Sequence, residues 1–491
     1  MATDLSAFLR SKIESFSLKP VVYEYGTVSR VGDGVARVVG LPGRRYGELL
    51  QFESGAFGMA IDLEEDGAGV VLLGTDNAVT VGSRVRGTGR VCDVPVGDGL
   101  IGRVVDPIGR ALDGADIASD LYYTVERPAP DLVSRRAVDT PLMTGMIAVD
   151  SLVPIGRGQR ELIIGDRQTG KTTLALDTIL NQKGKDVICI YCAIGQKAST
   201  VSAVIEALRA SGAMAYSIVV AATASDSPAM QYLSPYAACA MGEYFMERGR
   251  DVLVVYDDLS KHAVAYRAMS LLLRRSPGRE AYPGDIFYLH SRLLERAACL
   301  SHACGGGTLT ALPIIETKGG NISAYIPTNV ISITDGQIYL ESELFHNGVR
   351  PAVNTGLSVS RVGRAAQPQA MRKVSSSLRI QLAQYREMAV FSRFGSDLDA
   401  STRKMLSSGE RLTILLTQGK HELYSLGEQT ALLHLFKKGG FDGVRPEQMR
   451  QAVAETIRRL HVMCPDALGE IDRTGDLSDE TADALLECIN V

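Results

Sequence analysis

Residues 165 to 172 read Gly-Asp-Arg-Gln-Thr-Gly-Lys-Thr, after the apolar run Leu162, Ile163, Ile164 and before Leu174, Ala175 and Leu176. That is a strand, a glycine-rich turn and a helix start, the setting in which this spacing makes a phosphate cradle. Gly165, Asp166, Arg167, Gln168, Thr169 and Gly170 present backbone N–H groups to phosphate, Lys171 reaches the outer phosphates, and the Thr172 hydroxyl takes a Mg²⁺ coordination position. The pattern predicts a nucleoside triphosphate ligand.

Such a loop needs a second acid for the metal, at the end of a neighbouring buried strand. Val252-Leu-Val-Val-Tyr256 followed by Asp257 fits, with Asp258 a competitor for the same role.

The elements that would position these residues fall into three blocks. From Tyr25 to about Arg90, short alternating runs are broken by Gly-Asp-Gly at 32 to 34, Glu-Ser-Gly at 53 to 55 and Glu-Asp-Gly at 65 to 67. Closely spaced hairpins of this kind imply a small β-barrel, so residues 1–90 are read as a short helix and a barrel. From 91 to 367, strand-like runs (Val187 to Ala193, Ile218 to Ala222, Val252 to Tyr256, Leu309 to Ile315) alternate with helical patterns, as in a RecA-like parallel α/β sheet. From 368 to 491 Val374, Leu378, Leu382, Tyr385 and Ala389 recur at helical intervals, Pro446 starts another amphipathic stretch, and Ser478 caps a final helix. The expected fold is therefore multidomain: N-terminal β-barrel, central α/β P-loop domain, C-terminal α-helical bundle.

Composition narrows the classes. A chain of 491 residues predicts roughly two to four domains. A net charge of −4 and the absence of Trp argue against a nucleic-acid protein. Eight cysteines in this length make no disulfide scaffold, and the reduced cytoplasm is the expected compartment. Cys189 and Cys192 form a C-x-x-C inside an apolar run and read as buried strand positions rather than a redox turn. No apolar run of about 18 residues predicts a transmembrane helix, so a membrane link must come through partners. Leu5, Phe8, Leu9, Ile13 and Phe16 recur at helical spacing, with Asp4 and Glu14 among the polar residues; this is a docking helix or a helix packed on the rest of the protein.

Further motifs carry a family resemblance. The P-loop octet, Tyr256-Asp-Asp-Leu-Ser-Lys261, Pro277-Gly-Arg-Glu-Ala-Tyr-Pro-Gly-Asp285, Ser323-Ala-Tyr-Ile-Pro-Thr-Asn329, Pro351-Ala-Val-Asn354, Ser358-Val-Ser-Arg361 and Phe394-Gly-Ser-Asp-Leu-Asp399 together resemble the alpha subunits of F-type ATP synthases over essentially the whole length. The resemblance implies ATP or ADP with Mg²⁺ as ligands, held by residues 165–172 with Thr173, Gln196, Arg350 and Gln418, and Thr172 and Asp257 on the metal. It implies beta subunits alternating with this chain in a hexamer, a central-stalk gamma subunit, a peripheral stalk or delta subunit reached through the N-terminus, and a membrane ion-channel sector. It places the complex on the cytoplasmic face of a bacterial membrane.

Within that resemblance the beta-type subunits carry Gly-Ala-Gly-Val-Gly-Lys-Thr and a glutamate after the next strand, which polarises the attacking water. Here the matching position is Gln196, which can orient water but cannot take its proton. Some GTPases do orient water with glutamine, so the alpha-type motifs are needed to favour a non-catalytic site. Arg361 resembles the arginine that projects into the neighbouring beta subunit's active site, and such fingers contribute roughly 10³ to 10⁵ in rate. Ser358 and Ser360 would support it by bonding nearby main chain. The sequence departs from the pattern in three places: Gln418-Gly-Lys420 has lysine for the second glutamine of Gln-x-Gln, Lys318-Gly-Gly-Asn321 lacks the usual acid, and Arg364 stands where a small residue is common. The competing reading is a self-sufficient homohexameric RecA-like motor for secretion or nucleic-acid translocation, which should carry its own catalytic glutamate.

Overall fold

The computed structural model describes residues 24–74, 79–114, 117, 119–392 and 399–487. The helix expected from Leu5 to Phe16, and residues 394–398 of the Phe394–Asp399 motif, lie outside the described residues. The chain forms two compact units, divided after Cys92.

In the first unit β1 (Tyr25–Gly32), β2 (Val35–Val39), β3 (Glu48–Phe52), β4 (Phe57–Leu63), β5 (Gly67–Leu73) and β6 (Arg84–Val91) close into a barrel in the order β1-β2-β5-β4-β3-β6. Alternation decides which side chains fill it: Leu50 and Phe52 of β3 bury with Val28, Val38, Val70 and Leu72. The Gly-Asp-Gly turn works because Asp33 and Gly34 both take left-handed φ, 52° and 80°, as a two-residue primed hairpin requires. Glu48 is buried, and its carboxylate accepts from the N–H groups of Arg45 and Gly89, both at 2.9 Å.

The second unit opens with a small antiparallel ribbon, β7 (Asp93–Pro95) with β9 (Tyr122–Thr124). The main sheet contains β8 (Val104–Val105), β10 (Leu162–Gly165), β11 (Val187–Gln196), β12 (Ser217–Thr223), β13 (Asp251–Asp257), β14 (Thr308–Glu316), β15 (Gly336–Leu340) and β16 (Val359–Ser360). Their order is β16-β15-β10-β14-β13-β11-β12-β8. Neighbours from β15 to β8 are parallel, and β16 runs antiparallel to β15. Helices cover both faces, so the inner strands read as unbroken apolar runs. Parallel strands put Gly165, Gln196, Asp257, Glu316 and Leu340 on one sheet edge, where open α/β sheets bind ligands.

After Pro368 the described residues contain helices and no strand: Gln369–Ser375, Leu378–Ser392, Ala400–Leu415, Leu426–Lys437, Met449–Met463, Pro465–Thr474 and Asp479–Glu487. Ser478 Oγ caps the last by accepting from Thr481 N at 3.1 Å. Leu432, Leu468 and Leu485 join Leu174, Leu253 and Ile314 in one core, so the helical domain is packed onto the sheet domain. Barrel, α/β domain and helical domain are the fold class expected. Cys189 and Cys192 are free and fully buried in β11, and burial pushes the Cys192 thiol up to about 12.

Beneath the sheet Arg296 is 0% exposed; its Nε and Nη2 donate to Glu243 at 2.6 and 2.9 Å, and Nη1 donates to the Val125 carbonyl at 2.7 Å. Removing one partner of a buried pair strands the other charge. Arg296→Met should therefore cost about 3 kcal/mol, the low end of the usual range because Arg127 also faces Glu243. The check is the urea unfolding midpoint of the isolated subunit, which an unimportant pair would leave in place.

Candidate functional site

The loop 165–170 leaves β10 and enters the helix Lys171–Leu180. Gln168 and Gly170 adopt left-handed φ of 62° and 93°, the kind of backbone that gathers successive N–H groups into an anion-binding concavity. Among the described residues the N–H groups of Gln168 to Thr172 donate to no protein acceptor, which leaves them for a ligand. Gly165 cannot be replaced cheaply, since a Cβ there would lie 2.4 Å from the Leu340 carbonyl. Lys171 is 8% exposed; Nζ donates to the Gly165 carbonyl at 2.9 Å and also to that of Asp166. Burial pushes its pKa down, and the carboxylates of Glu316, Asp258, Asp257 and Asp166 oppose that. Thr169 Oγ1 donates to the Asp166 carbonyl at 2.9 Å, and Arg167 points outward to an ion pair with Glu316 at 3.4 Å.

Asp166 turns away from the loop. Its carboxylate accepts from Thr317 Oγ1 at 2.6 Å, Gly320 N at 2.9 Å and Ser342 Oγ at 3.2 Å. Burial pushes this carboxyl up, but those bonds and the Lys171 charge prevail and its pKa is lowered. They also give Lys318-Gly-Gly-Asn321 a structural account: Gly319 and Gly320, at φ 61° and 69°, form the turn that reaches Asp166.

Asp257 ends β13 and gathers three side-chain donors. Thr172 Oγ1 and Tyr191 Oη donate to Oδ2 at 2.7 and 2.8 Å, and Gln196 Nε2 donates to Oδ1 at 2.7 Å. Asp258 is used differently, since its Oδ1 accepts from Lys261 N at 2.8 Å and caps the helix Leu259–Leu272. Burial pushes the Asp258 carboxyl up to about 6, against the Lys261 charge. The structure thus brings Asp257, not Asp258, onto the Thr172 hydroxyl.

Next to the loop lies a cavity of about 220 Å³ lined by Thr169, Gly170, Thr173, Phe345, Arg350 and Lys420, among others. That exceeds the ~150 Å³ known to hold a benzene ring. The Arg350 guanidinium carbon stands 4.6 Å from the centre of the Phe345 ring. Gln418 lines the same cavity but spends its amide on main chain, accepting from Ile147 N at 2.7 Å and donating to the carbonyls of Gly145 and Glu422 at 3.0 and 2.7 Å. It ties the helical domain to the sheet domain. Lys420 makes no ion pair among the described residues, while its neighbour His421 bonds the buried Asp177 through Nδ1 at 2.6 Å.

Arg361 lies elsewhere. It follows β16, and its N–H donates to the Asp335 carbonyl at 2.8 Å, while Asp335 N donates to the Arg160 carbonyl at 2.8 Å. Arg361 is therefore level with Arg160, at the N-terminal end of β10, and roughly 16 Å of strand separates that level from Gly165. Its side chain is exposed and pairs with no carboxylate among the described residues. Ser358 is fully buried and Oγ accepts from Tyr339 N at 2.9 Å; Ser360 Oγ donates to the Pro154 carbonyl at 2.7 Å. Arg364 is exposed.

Three family models match this chain: the beta-barrel domain of the ATP synthase alpha/beta family over residues 21–89, the nucleotide-binding domain of that family over 145–360, and its C-terminal domain over 367–491. The sequence is 56% identical to the ATP synthase subunit alpha of Caldanaerobacter subterraneus, over 99% of this chain and 96% of the relative. It is 57% identical to that of Acetivibrio thermocellus, over 98% and 96%, and 54% identical to that of Dehalococcoides mccartyi, over 98% and 96%. The chain belongs to the family of F-type ATP synthase alpha subunits.

Some residues of this alpha-subunit site carry no signal in the sequence. Tyr191 lies inside an apolar run that reads only as core, and its hydroxyl shows its role only once β11 is laid beside β13. Phe345 belongs to a short helix, Ser342–His346, and to no motif. Base stacking on an aromatic ring is worth about 1–3 kcal/mol. Phe345→Ala should therefore weaken ATP binding about tenfold or more and leave inorganic triphosphate nearly unaffected. Equilibrium titrations with both ligands decide it, and equal loss for both would place Phe345 outside base recognition.

Proposed function

We propose that this alpha subunit is the regulatory, non-catalytic nucleotide-binding subunit of a rotary ATP synthase that makes ATP from ADP and phosphate using a transmembrane proton or sodium gradient. It alternates with beta subunits in a hexamer around the gamma subunit and lends Arg361 to a beta subunit's catalytic site. A delta or peripheral-stalk contact through the N-terminus, and the membrane channel sector, hold the complex peripherally on the cytoplasmic face of the bacterial membrane. No nucleic acid takes part. The supporting observation is that an arginine without an ion-pair partner among the described residues stands at the sheet edge opposite this subunit's own P-loop. An arginine side chain does not cross that distance, which supports a phosphate on another subunit as its target.

At the subunit's own site the orphan N–H groups, Lys171 and Thr173 fit a triphosphate, and Thr172 and Asp257 fit Mg²⁺. Bound there, Mg²⁺ would neutralise phosphate charge. Among the described residues none of the neighbouring groups is free to act as a base. Gln196 is an amide; Asp166 is held by Thr317, Gly320 and Ser342; Asp258 caps a helix; Glu316 faces Arg167. No helix among the described residues is long and apolar enough to cross a membrane, in keeping with attachment through partners.

The isolated subunit should bind Mg-ATP and hydrolyse it negligibly. Fast steady-state turnover from a preparation free of beta subunit would overturn the non-catalytic assignment.

Arg361→Ala should leave ATP on this subunit's P-loop and lower turnover of the reconstituted alpha–beta complex by roughly 10³ or more. Developing charge on the transferred phosphoryl is then unmatched, so the loss falls on kcat more than on KM. Arg361→Lys should not restore it, because an ammonium lacks the planar fork that grips two oxygens. Near-normal turnover in the alanine complex would return Arg361 to a surface role.

A further inference from the structure

Gln159, which no motif marks, lies under the strand that carries Arg361. It is 0% exposed, and its amide is fully used: Oε1 accepts from Gly156 N at 2.8 Å, and Nε2 donates to Glu161 Oε2 at 2.7 Å and to Ser360 Oγ at 3.2 Å. Ser360 Oγ donates to the Pro154 carbonyl at 2.7 Å and accepts from Gly363 N at 3.1 Å. One hydroxyl has one proton and two lone pairs, so this one is saturated, and its orientation is set by the amide below it. Arg361 lies between Ser360 and Gly363, both tied to that hydroxyl.

The floor of this arrangement is Glu161, also 0% exposed, whose Oε1 has no partner among the described residues. Gly336 makes room for it: a Cβ there would lie 2.6 Å from Glu161 Oε2 and 2.2 Å from the Val359 carbonyl. Burial holds this carboxyl well above the usual range, Asp335 adds to that, and the Gln159 bond and the Arg361 charge oppose it. A third tie comes from Arg160, whose Nε and Nη2 grip Asp335 at 2.9 Å while the Asp335 carbonyl accepts from Arg361 N.

We propose that Gln159 is a positioning residue for Arg361: its amide nitrogen joins the buried Glu161 carboxyl to the Ser360 hydroxyl and so sets the backbone from which the arginine projects. The inference rests on Arg361 acting on a neighbouring subunit's nucleotide. A guanidinium reaching across an interface has to start from a backbone fixed to about half an ångström, because the rest of the side chain is flexible. Gln159 and Ser360 supply that fixity without touching the phosphate.

The test uses the reconstituted alpha–beta complex with Gln159→Glu, which keeps an acceptor for Gly156 N but removes the donor, and Ser360→Ala, which removes only the hydroxyl. Each is made alone and with Arg361→Ala, and kcat, KM and nucleotide occupancy at this subunit's P-loop are measured. Expected is a fall in kcat of about tenfold or more with KM within about twofold and occupancy unchanged, and no further fall when Arg361 is already alanine. If Gln159→Glu fails to assemble, Ser360→Ala carries the same comparison. Normal kcat in the single variants, or an equal further loss in the Arg361→Ala background, overturns the positioning role while leaving the arginine's role standing. Near-normal turnover in Arg361→Ala alone overturns both.

Discussion

Both sites of this subunit depend on how firmly one short strand is held. The apolar residues Leu162, Ile163 and Ile164 of β10 are completely buried, and each side of the strand is paired in parallel, Ile163 with Ile314 on β14 and with Ile338 on β15. An apolar pattern on both faces would by itself tolerate a slip in register. Gly165 removes that freedom, because any other residue brought level with the Leu340 carbonyl would collide with it. The phosphate loop therefore starts from a fixed point at one end of β10, and Gln159 to Glu161 form the floor beneath Arg361 from a fixed point at the other.

At the loop end the decisive group is Asp257. Three neutral donors converge on its carboxylate, and hydrogen bonds to a charged acceptor inside a protein are stronger than the same bonds in water. The amide of Gln196 is part of that stabilisation. A glutamate in its place would set one carboxylate against another at hydrogen-bond distance, where like charge drives one of the two to hold a proton. The arrangement that fixes Asp257 is the same one that occupies the Gln196 amide.

The architecture was legible in the sequence because its signals are local and periodic. Gly-Asp-Gly at 32 to 34 announces a turn whose two left-handed residues the backbone then requires, and apolar runs such as Val252–Tyr256 fit strands buried on both faces. The phosphate loop was legible because its residues are consecutive. Tyr191, Phe345 and Gln159 were not, since each acquires its role from a partner distant in sequence or on another element: Asp257, Arg350 and Ser360. Gln418 shows the reverse failure. Its place beside the cavity could be anticipated from motif, but its amide is committed to Ile147, Gly145 and Glu422, a fact that only the packing of the helical domain on the sheet reveals. Asp257 and Asp258 could not be told apart by spacing, and the cap on Lys261 N separates them.

The separation of the two sites has an electrostatic consequence. Had Arg361 stood at the loop edge, its charge would have added to that of Lys171 around a single triphosphate, leaving no cation at this position for a neighbour. Instead it lies roughly 16 Å back along β10, beyond the screening length of about 8 Å at physiological salt. A charge bound at the P-loop is therefore felt only faintly through solvent at the guanidinium. On the proposed reading, whatever passes between the subunit's own nucleotide and Arg361 has to travel as displacement through β10 and the hydrogen bonds of Gln159. A buried strand paired on both sides transmits displacement poorly unless its neighbours move with it. The fold thus favours an arginine whose placement is nearly indifferent to the local ligand, as the role proposed for it in a second subunit's chemistry requires.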